Sequence, residues 1–577
     1  MIVIKGIAAS PGIAIGRAYL LEDMDWPVER INLPAELLRA ETHRFKTALK
    51  ATLKDLDQSE AKILKVLGRQ HARLIAAHRL ILKDPSITSQ VPQRILKDGM
   101  NAEFALHAVL EELSRHFERM PDEFFRERRH DLWDVGKRIL FHLLKKAGHD
   151  HSAIAEKSIV ISRNLLPSDT MALPRTRVLG FCTDLGGKTS HTALMAQSLN
   201  LPAVVGLSDA SRRIKTGDAV ILDGQEGLLI AQPTPETLAK YEKTRLDLAQ
   251  EETALDSLKG LPAQTLDGRS VKLDATLDSP DDLGILTALS PDGIGLFRTE
   301  CLFINSPIPP REEDQVAVYS SVLAALSPKS VTIRTADLGA DRISRWGMAA
   351  PSAEPNPAMG LRGMRLSLRH PAILKAQIRA ILRARSAGPV RIMFPMIATL
   401  NEMLQAKQML VKAASELEAE GFGATKAAPI QWGIMIEVPS AALTVEAFLP
   451  SMDFISVGTN DLIQYTLACD RLNENVSDFY DPFHPAVLRL LAKISETARR
   501  LGKDASVCGE MTADPHAVPL LVGLGFESLS VPARMYLRIK KIVRSLRHAS
   551  LERLAKKALD AEDSEGVRRL LAEEGFL

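Results

Sequence analysis

The stretch "GIGLFRTE", residues 293–300, runs from two glycines and three apolar residues straight into an arginine, a threonine and a glutamate. A run this short and continuously apolar fits a strand buried on both faces, and the charge at its end marks where the chain reaches solvent. The same pattern recurs in "VKLDATL" (271–277), "VTIRTADLG" (331–339), "VRIMFPM" (390–396), "WGIMIEVP" (432–439), "DFISVGTND" (453–461), "DASVCGE" (504–510) and "ESLSVP" (527–532). Each is followed by a helical stretch. Alternating β and α segments imply a parallel sheet, and eight repeats predict a closed (β/α)8 barrel over residues 261–577.

Arg298, Arg334, Glu437, Asp461 and Cys508 all fall at or just beyond the C-terminal ends of these strands. That rim is where barrels of this type carry their chemistry. Five such residues on one rim are hard to assign to ordinary loop-edge charge.

Outward from the barrel, residues 233–260 are charged and helical and read as a linker. Before them, "SIVISRN" (158–164), "RVLGFCT" (177–183), "PAVVGL" (202–207), "DAVILDG" (218–224) and "LLIAQP" (228–233) read as short strands. "IKGIAASPGIAIGRAYLL" (4–21) reads as two more strands around a Ser-Pro-Gly turn. Between them, apolar residues recur at threes and fours, the stripe of packed helices. The expected organisation is multidomain α/β: an α/β domain from 1–20 and 147–232, an inserted helical subdomain at 21–146, the linker, and the barrel.

The 577 residues are 46% hydrophobic with a formal net charge of +2, which supplies no global attraction to nucleic acid or anionic lipid. The four cysteines, Cys182, Cys301, Cys469 and Cys508, follow no disulfide or zinc spacing. "MIVIKGIAASPG" places a lysine and a turn where a secretory signal needs its apolar run, and no stretch reaches a membrane span. A cytoplasmic protein without membrane insertion or nucleic-acid partner is expected.

One further motif stands apart. In "GGKTSHTALMAQSLNLPAVVG" (186–206), Thr189 or Ser190 is a natural N-cap, which puts His191 in the first helical turn. Free amides and the helix dipole there favour an anion and disfavour imidazolium. A histidine so placed stays neutral and nucleophilic, while Gly186 and Gly187 clear the approach. A polar helix start whose histidine only packs is the competing reading.

The rim supplies a complementary set. Arg298 and Arg334 offer guanidinium forks suited to phosphate or carboxylate. Glu437 and Asp461 are single carboxylates on neighbouring strands, and Mg2+ takes one or two carboxylates plus substrate oxygens. Cys508 reads either as a small core residue or as a rim thiol able to protonate an enolate-like carbon. "GIG" at 293–295 lacks the context of a dinucleotide fingerprint, and no Walker-type GxxxxGK[ST] is present.

In sum these motifs resemble enzyme I of the bacterial sugar phosphotransferase system, nearly end to end. The likeness is carried by "GIAASPGIAIGRA", "DVGKRIL", "LLPSDTMAL", "GGKTSHTALMA", "GIGLFRTECLF", "RTADLGAD", "NPAMGLRGMR", "RIMFPM", "SVGTNDLIQYTLACDR" and "CGEM". The resemblance implies that phosphoenolpyruvate phosphorylates His191 with release of pyruvate, and that the group passes to a histidine of the carrier HPr. It implies Thr189, Ser190 and Thr170 beside that histidine. It further implies Arg298, Arg334 and Arg471 as substrate clamps, Asn460 as a phosphate contact, Glu437 and Asp461 as Mg2+ ligands, and Cys508 as the acid. Residues 21–146 become the carrier-binding subdomain, and the barrel becomes the dimerisation domain of a homodimer.

Several positions depart from the family pattern. Lys188 and Gln197 stand where arginine is frequent, and Ala340 and Arg342 replace a usual glycine and lysine. Residues 61–90 hold Lys62, Lys65, Arg69, Arg73, Arg79 and Lys83 against the single acid Asp84, where family docking helices are commonly acidic. A carrier of compensating charge is expected. A nucleotide-dependent relative would need an ATP-binding domain for which the helical insertion has no room. A catalytically silent or nitrogen-type regulatory paralogue is the remaining alternative. A start directly at the first strand, without a preceding sensory domain, favours the carbohydrate branch.

Overall fold

The computed structural model describes residues 1–21, 28–118, 123–144, 154, 157–165, 177–187, 191–198, 201–304, 306, 308–348, 354, 356–422, 430–471, 473 and 475–577. The side chains of 59, 61–77, 118, 123–130, 191, 194, 195, 198, 252 and 345 also fall outside the description. The chain divides into two compact units, Met1–Glu251 and Glu252–Leu577.

The first unit contains strands β1 (Ile2–Lys5), β2 (Ile7–Ser10), β3 (Ile13–Leu20), β4 (Ser158–Ser162), β5 (Val178–Thr183), β6 (Ala203–Val205), β7 (Ala219–Asp223) and β8 (Leu228–Ala231). They form one sheet in the order β1-β8-β7-β3-β4-β5-β6-β2. The pairings β3–β4, β4–β5 and β5–β6 are parallel and the rest antiparallel. Two strands were expected before residue 21, and three are present. The break is Gly6. Its N–H donates to the Gly227 carbonyl at 2.8 Å, and a Cβ there would lie 2.6 Å from the Val205 carbonyl oxygen. Gly6 thus sits between the ends of β8 and β6. β1 and β2 occupy opposite edges of the sheet but adjoin in sequence, so the sheet wraps until its edges meet.

Between β3 and β4 come helices Leu38–Lys83, Pro85–Thr88, Gln90–Asp98, Ala102–Glu118 and Glu123–Leu144. Their separate core includes Phe45, Leu56, Leu106, Val109, Leu110, Val135 and Ile139. Arg44 ties three of the helices: it pairs with Glu41 at 2.6 Å and Glu103 at 2.8 Å, and donates to the Leu143 carbonyl at 2.8 Å. Within the basic run, Arg79 is paired with Glu60 and lies 3.5 Å from Asp57. Those acids precede the 61–90 window, so its charge excess is smaller on the folded helix than in the sequence count.

Helix Pro235–Asp256 leads into the second unit. There β9 (Lys272–Leu277), β10 (Ile294–Arg298), β11 (Val331–Arg334), β12 (Val390–Phe394), β13 (Gln431–Ile436), β14 (Phe454–Gly458), β15 (Asp504–Cys508) and β16 (Ser528–Pro532) pair in parallel and in sequence, with β16 closing on β9. All eight expected strands are there, and the barrel is closed. Leu296, Met393, Met435, Phe454 and Cys508 cluster within it, which makes it a packed core rather than a pore. Among the described residues, no helix is long and apolar enough to cross a membrane.

Candidate active site

The rim is built by strand register. Arg298 and Arg334 are opposed residues at the ends of β10 and β11. Glu437 directly follows β13, and Gly458 opposes Cys508 across β14 and β15. Asn460 and Asp461 lie in the first turn of helix Thr459–Leu467, which starts as β14 ends.

Arg334 is buried. Its Nη2 donates to Glu300 Oε1 at 2.8 Å, and its Nη1 lies 3.7 Å from the Met435 sulfur. Burial opposes its charge, but the carboxylates of Glu300, Asp337 and Glu437 raise its affinity for the proton further still. Its Nε has no hydrogen-bond partner and is shielded from solvent. Arg298 is more open and pairs with Asp278 at 2.9 Å.

Glu437 is 1% exposed, and its Oε1 accepts the Met396 N–H at 2.6 Å. Burial, then the neighbouring charges of Asp461 and Asp337, push its carboxyl up to about 8, against the pull of Arg334. This is a site with excess negative charge in a poorly solvated place. Part of that charge is met by Arg362, which grips Asp337 through two contacts (2.6 and 3.2 Å) and lies 3.5 Å from Asp461. It also donates to the Tyr465 hydroxyl at 3.3 Å.

Cys508 is fully buried inside the barrel mouth. Its thiol donates to the Val457 carbonyl at 3.3 Å and lies 3.5 Å from Ser456 Oγ. Burial pushes it above the ordinary thiol range, only partly countered by Ser456, Arg298 and Arg334. It therefore keeps its proton at neutral pH. Asn460 and Glu510 hold each other, the Glu510 N–H donating to Asn460 Oδ1 at 2.8 Å and Asn460 Nδ2 to Glu510 Oε1 at 3.3 Å. Gly509 permits this with φ +102, since a Cβ would come 2.4 Å from Thr459 Oγ1. Arg471 follows the same helix, its N–H bound to Gln464 Oε1 at 3.2 Å.

Arg298, Arg334, Glu437, Asp461, Asn460, Arg471 and Cys508 therefore share one face of the barrel. Sequence reasoning missed Glu300, Asp337 and Arg362, which knit that face together. Arg362 lies at no strand end; it sits between Gly360 and Gly363 (φ +54) in the excursion after β11. Its signal was the "NPAMGLRGMR" stretch itself, an arginine framed by glycines. Of the departures, Arg342 donates to the Ile304 carbonyl at 2.8 Å, and Ala340 opens helix Ala340–Arg345.

In the first unit, helix His191–Ser198 opens at His191 and packs on β2 and β6. Thr192 Oγ1 donates to the Leu165 carbonyl at 3.0 Å, and Gln197 Nε2 to the Ala9 carbonyl at 2.6 Å. Gln197 thus uses its amide to tie the helix to β2. The His191 side chain, Thr170, Lys188, Thr189 and Ser190 lie outside the described residues.

A closed parallel barrel with arginines and crowded, buried carboxylates on its C-terminal face defines a class: a (β/α)8 enzyme acting on a small, strongly anionic substrate. Family comparison agrees. Residues 5–128 match the PEP-utilising enzyme N-terminal domain, 154–227 the mobile domain and 252–548 the PEP-binding domain. The phosphoenolpyruvate-protein phosphotransferase of Listeria monocytogenes is 40% identical over 98% of both chains. That of Staphylococcus carnosus is 38% identical over 99% of this chain and 98% of its own. An NMR solution structure of Enzyme I matches 43% of this chain and 99% of its own at 38% identity, with a TM-score of 0.37. The chain belongs to the enzyme I, or phosphoenolpyruvate-protein phosphotransferase, family of PEP-utilising enzymes.

Proposed function

We propose that this chain takes the phosphoryl group of phosphoenolpyruvate onto His191, releases pyruvate, and passes the group to a histidine of an HPr-like carrier, opening sugar uptake by the phosphotransferase system. The observation that carries this reading is the rim, where Arg298, Arg334 and Arg471 share a face with the over-charged pair Glu437 and Asp461. Phosphoenolpyruvate brings carboxylate and phosphate together, and the arginine forks match both. Arg298 exchanges Asp278 for the substrate, and Asn460 contacts the phosphoryl oxygens.

Glu437 and Asp461 fit a Mg2+ site, because two carboxylates crowded at a buried position call for a cation. Among the described residues no larger cluster of ligating side chains exists, so substrate and water would complete the shell. When bound, Mg2+ neutralises charge on the substrate oxygens.

A neutral His191 nitrogen attacks phosphorus, forming the N–P bond as the P–O bond to the enol oxygen breaks. The electron pair leaves on the enolate of pyruvate. The Cys508 thiol gives its proton to the terminal carbon and recovers one from water. The helix start at His191 suits a phosphorylated imidazole, since its free amides attract anions, with Thr170, Thr189 and Ser190 as neighbours.

Residues 21–146 dock the carrier, 147–232 with 1–20 present the histidine, 233–260 link the halves, and 261–577 dimerise; the protein works in the cytoplasm. No observation favours the silent or nitrogen-type alternative. Incubating the full chain with labelled phosphoenolpyruvate and Mg2+, beside His191→Ala, tests the proposal. Base-stable, acid-labile label on the wild type alone is expected; label surviving in the variant overturns the assigned acceptor.

A further inference from the structure

Besides Arg334 Nε, Arg471 Nη1 and Tyr480 Oη are buried polar groups near the barrel rim with no partner in hydrogen-bond geometry among the described residues. Both belong to the stretch that follows helix Thr459–Leu467, with Tyr480 directly after the single turn Ser477–Phe479. The tyrosine ring packs against the barrel core. Its hydroxyl faces the Arg471 guanidinium and lies within the field of Glu510 and Asp461. Burial pushes the phenol up, so it remains a protonated donor. Glu510 Oε1 is already engaged by the Asn460 amide, and Asp461 lies against Arg362.

Leaving a buried donor unpaired costs about 1–3 kcal/mol, and folded proteins rarely tolerate it without reason. The phenolic oxygen can accept from the neighbouring guanidinium, but among the described residues its own O–H has no acceptor in hydrogen-bond geometry. One anionic oxygen placed between them would accept from both the O–H and the guanidinium.

We propose that Tyr480 is a substrate-binding residue of the barrel site, its phenolic O–H donating to the same anionic group of phosphoenolpyruvate that Arg471 grips. The inference rests on the phosphoenolpyruvate reading above and adds a residue that strand-end reasoning could not reach. The hydroxyl binds and orients the ligand and takes part in no bond making.

Tyr480→Phe removes the hydroxyl alone. In the full chain carrying His191→Ala, which cannot turn over, phosphoenolpyruvate is titrated calorimetrically with saturating Mg2+, with and without Tyr480→Phe. The dissociation constant is expected to rise about tenfold or more, the usual scale for a hydrogen bond to a charged group. Melting of the ligand-free chain should be unchanged or higher, since an unpaired buried hydroxyl is removed. A dissociation constant within twofold overturns the inference. So does a melting temperature several degrees lower, which would mean the hydroxyl is paired in the folded chain. If the His191→Ala chain with Tyr480 intact binds no phosphoenolpyruvate, the barrel-site reading itself fails. If it binds and Tyr480→Phe matches it, only the role of Tyr480 falls.

Discussion

The molecule holds two eight-stranded sheets that solve the edge problem differently. In the barrel, each strand pairs with its neighbours in sequence and β16 closes on β9. In the first unit, strand order bears little relation to sequence order, a helical subdomain interrupts it, and one glycine brings the two edges together. Closure removes unpaired edges from the barrel, whereas β1 and β2 stay edge strands of the first sheet, joined through Gly6. The barrel, however, gathers the ends of eight consecutive strands onto one face, where charges can be locked against one another. The wrapped sheet gathers no such face, and the histidine proposed as the phosphoryl acceptor opens a helix instead. One architecture suits holding a ligand, the other presenting a single side chain.

Substitutions should separate these roles. Glu437→Gln should lower kcat/KM for phosphoenolpyruvate about 10³-fold, in line with losing a preorganised charge interaction, while circular dichroism and melting stay close to wild type. Substantial activity in that variant would break the assignment of chemistry to the barrel face. Cys508→Ser should slow pyruvate formation about 10²-fold, the lower range for loss of a general acid. Because burial raises the thiol above its ordinary value near 8.5, the neutral acid persists as pH rises through 8.5. Wild-type pyruvate release should show no Cys508-dependent fall there, and a fall centred near 8.5 that disappears in Cys508→Ser would contradict the buried thiol.

Arg362→Lys keeps the charge but loses the fork between Asp337 and Asp461. Its expected effect, about 10–100-fold in KM, is that of a supporting contact, and steady-state kinetics would measure it. Gly6→Ala should act in the opposite way, destabilising the first unit by about 1–3 kcal/mol through overpacking and leaving phosphoenolpyruvate binding unchanged. Urea unfolding and calorimetric titration would sharpen the contrast, and an unaltered unfolding midpoint would break it.

What could be read from the sequence follows the same division. All eight barrel strands were legible, because each is a short apolar run ending on a polar residue and followed by a helix. Arg298, Arg334, Glu437 and Cys508 were legible for the same reason: strand ends are visible in a sequence. Gly6 was not, since nothing local announces that Lys5 and Ile7 pair with strands at opposite edges. Arg362, Asp337 and Glu300 escaped because their value lies in each other, as ion pairs between loops and strand ends. Arg79 taught a smaller lesson, as a charge count over a fixed window missed its partners Glu60 and Asp57, which lie just ahead of that window.

The Gly6 junction also bears on how the chain is made. Within the first unit β1 and β2 leave the ribosome before β8 and β6, which they pair with and which follow about 200 residues later, on the order of 10–40 s at 5–20 residues per second. Throughout that interval β1 and β2 lack their partners, and the first unit can be completed only after its last strand has been translated.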